Sequence, residues 1–258
     1  MRRTDLSSLL AALSLAACVP QPVEWEAPRL SPPAAGPLVA SLDAAAGAPA
    51  AAGAELVESP PAGGCPGSAR LAVAAGDERY LAWWEPRPDS SALLLVARSS
   101  DAGRSWAQRY VVDSLDRGAR GCRRPPPSIA ADSANGYVHV AYALDAPEGP
   151  GLFYAHLMDP RAQFEPPAAV VYGERAGATA VASDDQSVVV AYENPNGARP
   201  QVAVAVSRTA GHTFEGKTIA ASAPEVPATT PSVAVRGTRL TVAWVQPNGP
   251  VVRTGRIK

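Results

Sequence analysis

The chain has 258 residues, and its 23 lysines and arginines nearly balance its 24 aspartates and glutamates, which gives a formal net charge of −1. Nucleic-acid-binding proteins need a basic face to neutralise phosphates, so this balance argues against a nucleic-acid partner. Proline is abundant at 27 residues, and beyond the N-terminal segment no stretch keeps an apolar period of 3.6 residues. The composition therefore favours a loop-rich β protein.

The N-terminal segment, residues 1–17, has the parts of a secretory signal peptide. Arg2 and Arg3 precede an apolar stretch over residues 9–17, which is too short to cross a membrane as a helix. Residues 15–18, Leu-Ala-Ala-Cys, resemble the lipobox of bacterial lipoproteins. The resemblance implies cleavage before Cys18 and acylation of that residue. The alternative is an ordinary signal peptide with an incidental cysteine.

The residue that follows the lipobox cysteine bears on the final membrane. In enterobacterial lipoproteins an Asp at that position favours retention in the inner membrane, and Val19 stands there in this chain. The resemblance therefore implies export across the inner membrane and a lipid anchor in the outer membrane. Several acyl chains on one cysteine give durable anchoring. The sequence does not indicate whether the domain faces the periplasm or the cell surface.

Residues 18–63 are rich in Pro, Ala and Gly and carry few charges. Such a segment cannot bury enough apolar surface to order itself. We expect residues 18–63 to be a tether that holds a folded domain, residues 64–258, away from the membrane.

The folded domain repeats a unit of about 50 to 60 residues, and such a period indicates a radial or stacked architecture. In each unit an almost wholly apolar strand ends in Ala and an aromatic residue, and other short runs of Val, Ile and aromatics surround it. Four strands per unit predict an all-β fold, a small β-propeller of about four blades, each a four-stranded antiparallel sheet. The four pairs are Ala82-Trp83, Ala141-Tyr142, Ala191-Tyr192 and Ala243-Trp244.

Residues 99–106 of the first unit form the motif S-x-D-x-G-x-S-W, and fainter copies follow in the next two units. Asp101 is placed to accept backbone hydrogen bonds, Gly103 can take a positive φ, and Trp106 begins the next strand. The motif positions are Ser99, Asp101, Gly103, Ser105 and Trp106 in the first copy, Asp159 and Phe164 in the second, and Ser207, Gly211, Thr213 and Phe214 in the third.

These turns resemble the Asp-box, or BNR repeat, of sialidase-like β-propellers, over roughly residues 66–258. The copies depart from the pattern at Arg161, where Gly is expected, and at Thr209, where Asp is expected. The resemblance implies that the box is a structural turn away from any catalytic face. It also raises the alternative that the protein is a sialidase-like glycoside hydrolase.

Such hydrolases use a Tyr nucleophile with a carboxylate partner, and the candidate pairs here are Tyr142 with Asp145 and Tyr192 with Glu193. Both tyrosines stand in the register of the blade tryptophans, which indicates packing. The nearest match to the family's first substrate-binding arginine motif, Arg123-Arg124-Pro125-Pro126, lacks the aromatic residue and the Ile. We therefore expect no catalytic residues and favour a non-catalytic binding or scaffold module of the cell envelope, with a protein or glycan partner at the rim of loops.

Two cysteines remain once Cys18 is assigned to the lipid. Cys65 and Cys122 each precede the first strand of their units, and export implies an oxidising compartment. Equivalent positions on neighbouring blades lie close together, so we predict a Cys65–Cys122 disulfide between the first two blades. Two free thiols or a metal site are the alternatives.

No metal or cofactor is predicted. The three histidines, His139, His156 and His212, lack the spacing of a ligand motif. The chain also has no phosphate-binding glycine loop and no nucleophile elbow.

The fourth unit lacks its fourth strand, because Lys258 stands where the turn should begin. A propeller avoids an exposed edge by closing its ring. We expect an N-terminal strand to complete this blade, with residues 37–42 as the best apolar candidate. The alternative is an open half-propeller that pairs with another chain.

Overall fold

The computed structural model describes residues 22–31, 55–56, 60–175 and 177–258, which form strands and turns without a helix. The strands make four antiparallel sheets. The first sheet contains β3 Glu55–Leu56, β4 Arg70–Val73, β5 Arg79–Pro86, β6 Ala92–Ser99 and β7 Gln108–Asp113. The second contains β8 Ser128–Ala131, β9 Val138–Ala146, β10 Gly149–Leu157 and β11 Ala168–Tyr172.

The third sheet contains β12 Thr179–Asp184, β13 Ser187–Glu193, β14 Val202–Ser207 and β15 Gly216–Ala220. The fourth contains β16 Thr229–Arg236, β17 Arg239–Gln246 and β18 Gly249–Ile257, together with the N-terminal β1 Val23–Trp25 and β2 Arg29–Leu30. Each sheet is one blade, and within a blade the strands follow chain order, except that the N-terminal β1 and β2 lie beside β18 in the fourth. The prediction of an all-β propeller with four blades is confirmed. No helix of the described residues is long and apolar enough to cross a membrane.

An N-terminal strand completes the fourth blade, as predicted, but residues 37–42 were the wrong choice. Val23 pairs with Ile257 and Trp25 with Gly255, while Leu30 pairs with Val251 further along the same edge of β18. This edge is therefore filled by residues 23–30, and residues 37–42 lie outside the described part of the chain. Residues 18–63 are rich in Pro, Ala and Gly overall, so their composition did not predict this short strand, in which Val23 is buried against the sheet.

It follows that the expected tether over residues 18–63 is not a tether throughout, and that the folded domain includes residues before 64. Trp25 is part of the blade as well, because the guanidinium of Arg253 lies 5.0 Å from the centre of its ring. A three-residue strand gives too short an alternation to stand out against a Pro- and Ala-rich background.

In the second, third and fourth blades, an aromatic residue within the second strand faces the preceding blade. Tyr142 packs in the core between the first and second blades, Tyr192 between the second and third, and Trp244 between the third and fourth. Because side chains alternate along a strand, the Ala before each aromatic points the other way. The second strands are thus buried on both faces, which explains why they are apolar without alternation.

The series of blade contacts is interrupted between the fourth blade and the first. The inner strands pack in succession, β4 on β8, β8 on β12 and β12 on β16, whereas the described strands β16 and β4 make no comparable contact. Trp83, the aromatic residue of the first blade, belongs to a small core built from that blade and the segment that leads into it.

The predicted disulfide is confirmed, with 5.2 Å between the Cα atoms of Cys65 and Cys122. It joins the segment before β4 to the loop before β8. The two cysteines are 57 positions apart, and a covalent loop of this length stabilises the fold by about 4 kcal/mol in the chain-entropy treatment.

Candidate functional site

The turn at residues 99–106 is closed by its own side chains. The Asp101 carboxylate accepts hydrogen bonds from the Ser99 hydroxyl at 2.7 Å, the Ser105 hydroxyl at 2.6 Å and the Ser105 backbone N–H at 2.8 Å. Gly103 has φ of +87° and donates its N–H to the Ser99 hydroxyl. Hydrogen bonds from Ser105 and Ser99 lower the pKa of Asp101 to about 2. The carboxylate is therefore occupied inside the turn.

The third copy of this turn keeps the same geometry with a hydroxyl in place of the carboxylate. Thr209 accepts the backbone N–H of Thr213 at 3.0 Å, and its hydroxyl lies 2.9 Å from that of Thr213. Gly211 has φ of +89° and donates to Ser207. Its aromatic residue, Phe214, packs edge-on against Tyr154.

The second copy differs more. Asp159 accepts a hydrogen bond from the backbone N–H of Arg161 at 2.9 Å, and no residue of this turn has a positive φ. Its aromatic residue, Phe164, packs edge-on against Tyr110 with ring centres 5.9 Å apart. All three copies thus keep a hydrogen-bond acceptor and a packed aromatic residue, with Trp106 against the small core of the first blade, whereas the glycine with positive φ is kept only in the first and third.

Tyr142 is fully buried and does not meet Asp145. Its hydroxyl donates to the carboxylate of Asp113 at 2.6 Å, while Asp145 forms an ion pair with Arg120 at 2.8 Å. Burial raises the pKa of Tyr142 well above its ordinary value, and burial also raises the pKa of Asp113. A phenol held in this way is a poor nucleophile, because the reactive phenolate is disfavoured.

Tyr192 is also buried, and its hydroxyl donates to the carbonyl of Lys217. Burial is the main cause of its raised pKa. The neighbouring Glu193 accepts a backbone hydrogen bond from Thr230 at 2.8 Å. Neither candidate pair is therefore assembled: each tyrosine and each carboxylate has a different partner.

The loop between β7 and β8 carries four arginines, and two of them form ion pairs with carboxylates. Arg124 and Asp116 form an ion pair at 2.9 Å with side chains 2% and 0% exposed. The Arg124 guanidinium also lies 5.2 Å from the centre of the Trp84 ring, and Asp116 accepts the backbone N–H of Ala92. With Arg120 paired to Asp145, the exposed cations of this loop are Arg117 and Arg123.

The three histidines lie together at the junction of the second and third blades. His139 and His156 are opposite each other in the β9–β10 hairpin, and His212 reaches them from the turn of the third blade, with its ring centre 4.9 Å from that of His156. The Nδ1 atom of His139 lies 2.6 Å from the Tyr154 hydroxyl, and its Nε2 atom has no hydrogen-bond partner. Sequence reasoning missed this cluster, because hairpin register, not sequence spacing, creates it.

Burial keeps His139, the most deeply buried member of this cluster, neutral. Burial is the main cause that lowers the pKa of His139 to about 3, and the neighbouring His156 and His212 add repulsion. Burial also lowers the pKa of His156. Among the described residues, no group of three His, Cys, Asp or Glu side chains has the geometry to hold a metal ion.

A cavity of about 470 Å³ lies on the side of the first blade that faces away from the second. Trp83 and Trp106 line it, and Arg109 lies 5.2 Å over the Trp83 ring while pairing with Glu85 at 2.9 Å. The remaining walls are mostly apolar, with Arg79 as a further charged residue, and a pocket of this size and composition is typical of ligand sites. Sequence reasoning placed the partner at the loop rim and missed this face, although Leu81 and Trp83 alternate with inward residues along β5.

Comparisons with known proteins give similarity of structure alone. No family model matches the chain, and no curated protein sequence matches it. The NanB sialidase from Streptococcus pneumoniae is similar over 73% of this chain and 30% of that chain, with 10% identity and a TM-score of 0.46. The polysaccharide lyase Uly1 is similar over 74% of this chain and 45% of that chain, with 8% identity and a TM-score of 0.42.

A third similar structure is Zg3597, a family 117 glycoside hydrolase from Zobellia galactanivorans. It matches over 76% of this chain and 63% of that chain, with 15% identity and a TM-score of 0.41. The chain thus spans less than two thirds of each of these three proteins.

Proposed function

We propose that the protein is a lipid-anchored, non-catalytic binding or scaffold module of the bacterial cell envelope, built on a propeller whose three turns are Asp-boxes. The observation that supports this proposal best is the state of the two candidate nucleophiles. Tyr142 and Tyr192 are both fully buried, and their hydroxyls are held by Asp113 and by the Lys217 carbonyl.

The physical argument rests on access and on protonation. A nucleophile must reach the reacting atom and must be activated by a base or by a lowered pKa. Here burial raises the pKa of both tyrosines, which makes each of them a weaker nucleophile. The remaining accessible features of the described residues, the apolar cavity on the first blade and the exposed Arg117 and Arg123, are suited to binding a protein or glycan partner.

The expected assay result is no hydrolysis of a fluorogenic sialoside by the purified protein at any pH between about 5 and 8, the range over which a histidine or a tuned carboxyl changes charge. Tyr142→Phe and Tyr192→Phe should leave this background unchanged. Turnover that disappears in either variant would establish the hydrolase alternative and reject the binding module.

The anchoring half of the proposal rests on residues 15–18, which lie outside the described residues. The Cys65–Cys122 disulfide supports export, because disulfides persist in oxidising compartments. We expect the wild-type chain to sediment with outer membranes and to incorporate a labelled fatty acid, and Cys18→Ser to lose both properties. A neighbouring substitution, Val19→Ala, keeps the cysteine and serves as the control. Labelling that survives Cys18→Ser would contradict the anchor.

A further inference from the structure

We propose that a row of arginines at one end of the fourth blade binds the headgroup phosphates of anionic phospholipids, so that the domain itself contacts the membrane beside its anchor. The arginine row consists of Arg236, Arg239 and Arg256, one each from β16, β17 and β18. This contact rests on the proposed lipid anchor at Cys18, which brings the row to a membrane.

The strand register places the three arginines side by side. Arg236 lies opposite Arg239 in the β16–β17 hairpin, and Arg239 lies opposite Arg256 across β17 and β18. Residues directly opposite each other project from the same face of a sheet. That face points away from the third blade, because Leu240, which follows Arg239, is buried in the core between the third and fourth blades. All three arginines are exposed.

This arrangement is unfavourable for a folded sheet unless an anion is present. Like charges directly opposite each other on neighbouring strands destabilise the pairing. Among the described residues, Arg239 and Arg256 have no hydrogen-bond or ion-pair partner that would offset their repulsion. A bound phosphate would do so, and the planar guanidinium matches phosphate oxygens with two donors at once. The arginine row is therefore suited to a phosphate ligand.

The carboxylates near the row do not cancel its charge. Glu24 continues the row beyond Arg256, but its carboxylate lies 3.5 Å from the ammonium of Lys258, so that this pair is neutral overall. Asp184 of the third blade accepts a hydrogen bond from the backbone N–H of Gly237 at the tip of the β16–β17 hairpin. Three arginines against this one carboxylate leave the end of the blade positive.

The chain that leads from Cys18 enters the fold at the end of the same row. Pro22, four positions after Cys18, accepts the backbone N–H of Lys258 at 3.0 Å, and Glu24 pairs with Arg256. Acylation of Cys18 would therefore bring the arginine row close to lipid headgroups. Each arginine near an anionic bilayer raises the affinity roughly fivefold, so three raise it on the order of 100-fold.

The test separates the arginine row from acylation in the cell. The chain from Cys18 onward has one free thiol, because Cys65 and Cys122 are joined, so Cys18 can be coupled to a single tetradecyl chain. One such chain gives marginal, reversible binding of about 10⁴ M⁻¹, to which a contribution from charge adds measurably. Sedimentation measures binding to vesicles of phosphatidylcholine alone and of phosphatidylcholine with phosphatidylglycerol at about two to one.

We expect the coupled chain to bind the anionic vesicles on the order of 100-fold more tightly than the neutral vesicles. The difference should shrink as the salt concentration rises from about 0.1 to 1 M, because the Debye length falls from about 10 to 3 Å. Equal affinity for the two kinds of vesicle would overturn the proposal. A preference for anionic vesicles in a chain that cells do not acylate would support the lipid contact and contradict the anchor.

The mutational arm compares arginines at the two ends of the strands. Arg239→Gln and Arg256→Gln should each weaken binding to anionic vesicles about fivefold and leave binding to neutral vesicles unchanged. Arg199 is also exposed, but it lies between β13 and β14, and successive hairpins of a blade alternate between its ends. Arg199→Gln removes the same charge and should have little effect. An equal loss in all three variants would show that net charge is responsible and would reject the arginine row.

The stability of the variants guards against misfolding. Loss of one of two opposed charges relieves repulsion, so Arg239→Gln and Arg256→Gln should melt at or above the temperature of the parent. Weaker vesicle binding by a variant of undiminished stability cannot arise from misfolding and would support the proposal. Folded variants of both kinds that bind anionic vesicles as the parent does would reject it.

Discussion

The junction of the first and second blades and the junction of the second and third are held by different chemistry. The first contains a disulfide, the buried Arg124–Asp116 ion pair and the Tyr142–Asp113 hydrogen bond. The second contains the histidine and tyrosine cluster around His139. We therefore expect equivalent junctions of this repeated architecture to respond to different conditions, the first to reduction and the second to acid.

Among the variants that test this comparison, removal of the disulfide should have the largest effect on the free energy of unfolding. We expect the double variant Cys65→Ser, Cys122→Ser to lose about 4 kcal/mol of unfolding free energy, because the unfolded chain regains the entropy that the covalent loop removes. Urea denaturation measures the loss. Reductant should lower the stability of the parent to a similar level and leave the double variant unchanged, and a response of the variant to reductant would contradict this assignment.

Breaking the buried ion pair should cause the second largest loss of stability. Arg124→Ala leaves the Asp116 carboxylate buried without its counter-charge, and we expect a loss of about 3 kcal/mol in the same denaturation experiment. Arg120→Ala is the matched control, since Arg120 and Asp145 are 37% and 24% exposed and such a pair contributes less than about 1 kcal/mol. Comparable losses in the two variants would show that the burial of Arg124 has no energetic role.

Acid should weaken the second junction. The pKa of His139 is about 3 in the folded protein against 6.5 ordinarily, so between these values the unfolded chain binds more protons than the folded chain. The contribution of the neutral imidazole is complete above pH 6.5, and it is lost as the pH falls towards about 3. Stability should fall by up to about 1.4 kcal/mol per pH unit below 6.5, or about 2 kcal/mol by pH 5.

His139→Asn tests this assignment, because an amide can still meet the Tyr154 hydroxyl but does not titrate. The variant should show a flatter loss of stability between pH 6.5 and 5 in urea denaturation. His212→Asn changes the exposed member of the cluster, keeps the buried imidazole, and should retain most of the slope. An unchanged slope in His139→Asn would place the acid sensitivity elsewhere.

The smallest effect is expected from the hydrogen bonds that close the turns, because these bonds lie at the solvent-accessible surface. Asp101→Asn removes a charged acceptor from a solvent-accessible turn, and we expect a lower melting temperature by differential scanning calorimetry, with a smaller shift than in any variant above. Thr209→Val in the third copy removes the corresponding acceptor and should act in the same direction. A decrease in melting temperature as large as that of Arg124→Ala in the same calorimetry experiment would mean that the turns stabilise blade packing as well as their own conformation.

The sequence predicted those features that repeat. The Ala-aromatic strands gave the number of blades and the buried state of Tyr142 and Tyr192, because a strand packed on both faces loses its alternation. The Cys65–Cys122 disulfide followed from equivalent positions on adjacent units. Repetition supplies several independent copies of each signal, so a single divergent copy such as Asp159 to Phe164 does not hide the pattern.

Features that occur once were missed. The strand Val23–Trp25 is too short to give a periodic signal, and its partner Ile257 lies at the other end of the chain. The convergence of His139, His156 and His212 depends on hairpin register and on the angle between blades. The burial of Arg124 depends on the conformation of the loop between β7 and β8. None of these is set by local propensity, so each needs the tertiary structure.

The position of β1 also limits how far the domain can lie from a lipid anchor at Cys18. Val23 is fixed in the fourth blade only five positions after Cys18, and five residues of fully extended chain span at most about 18 Å. An acylated Cys18 would therefore hold the edge of the fourth blade near the lipid headgroups, with the first blade connected through the chain that follows Ser31. Lipidation would then fix the orientation of the propeller as well as its compartment, because the anchor joins the domain at a sheet edge and not through a long spacer.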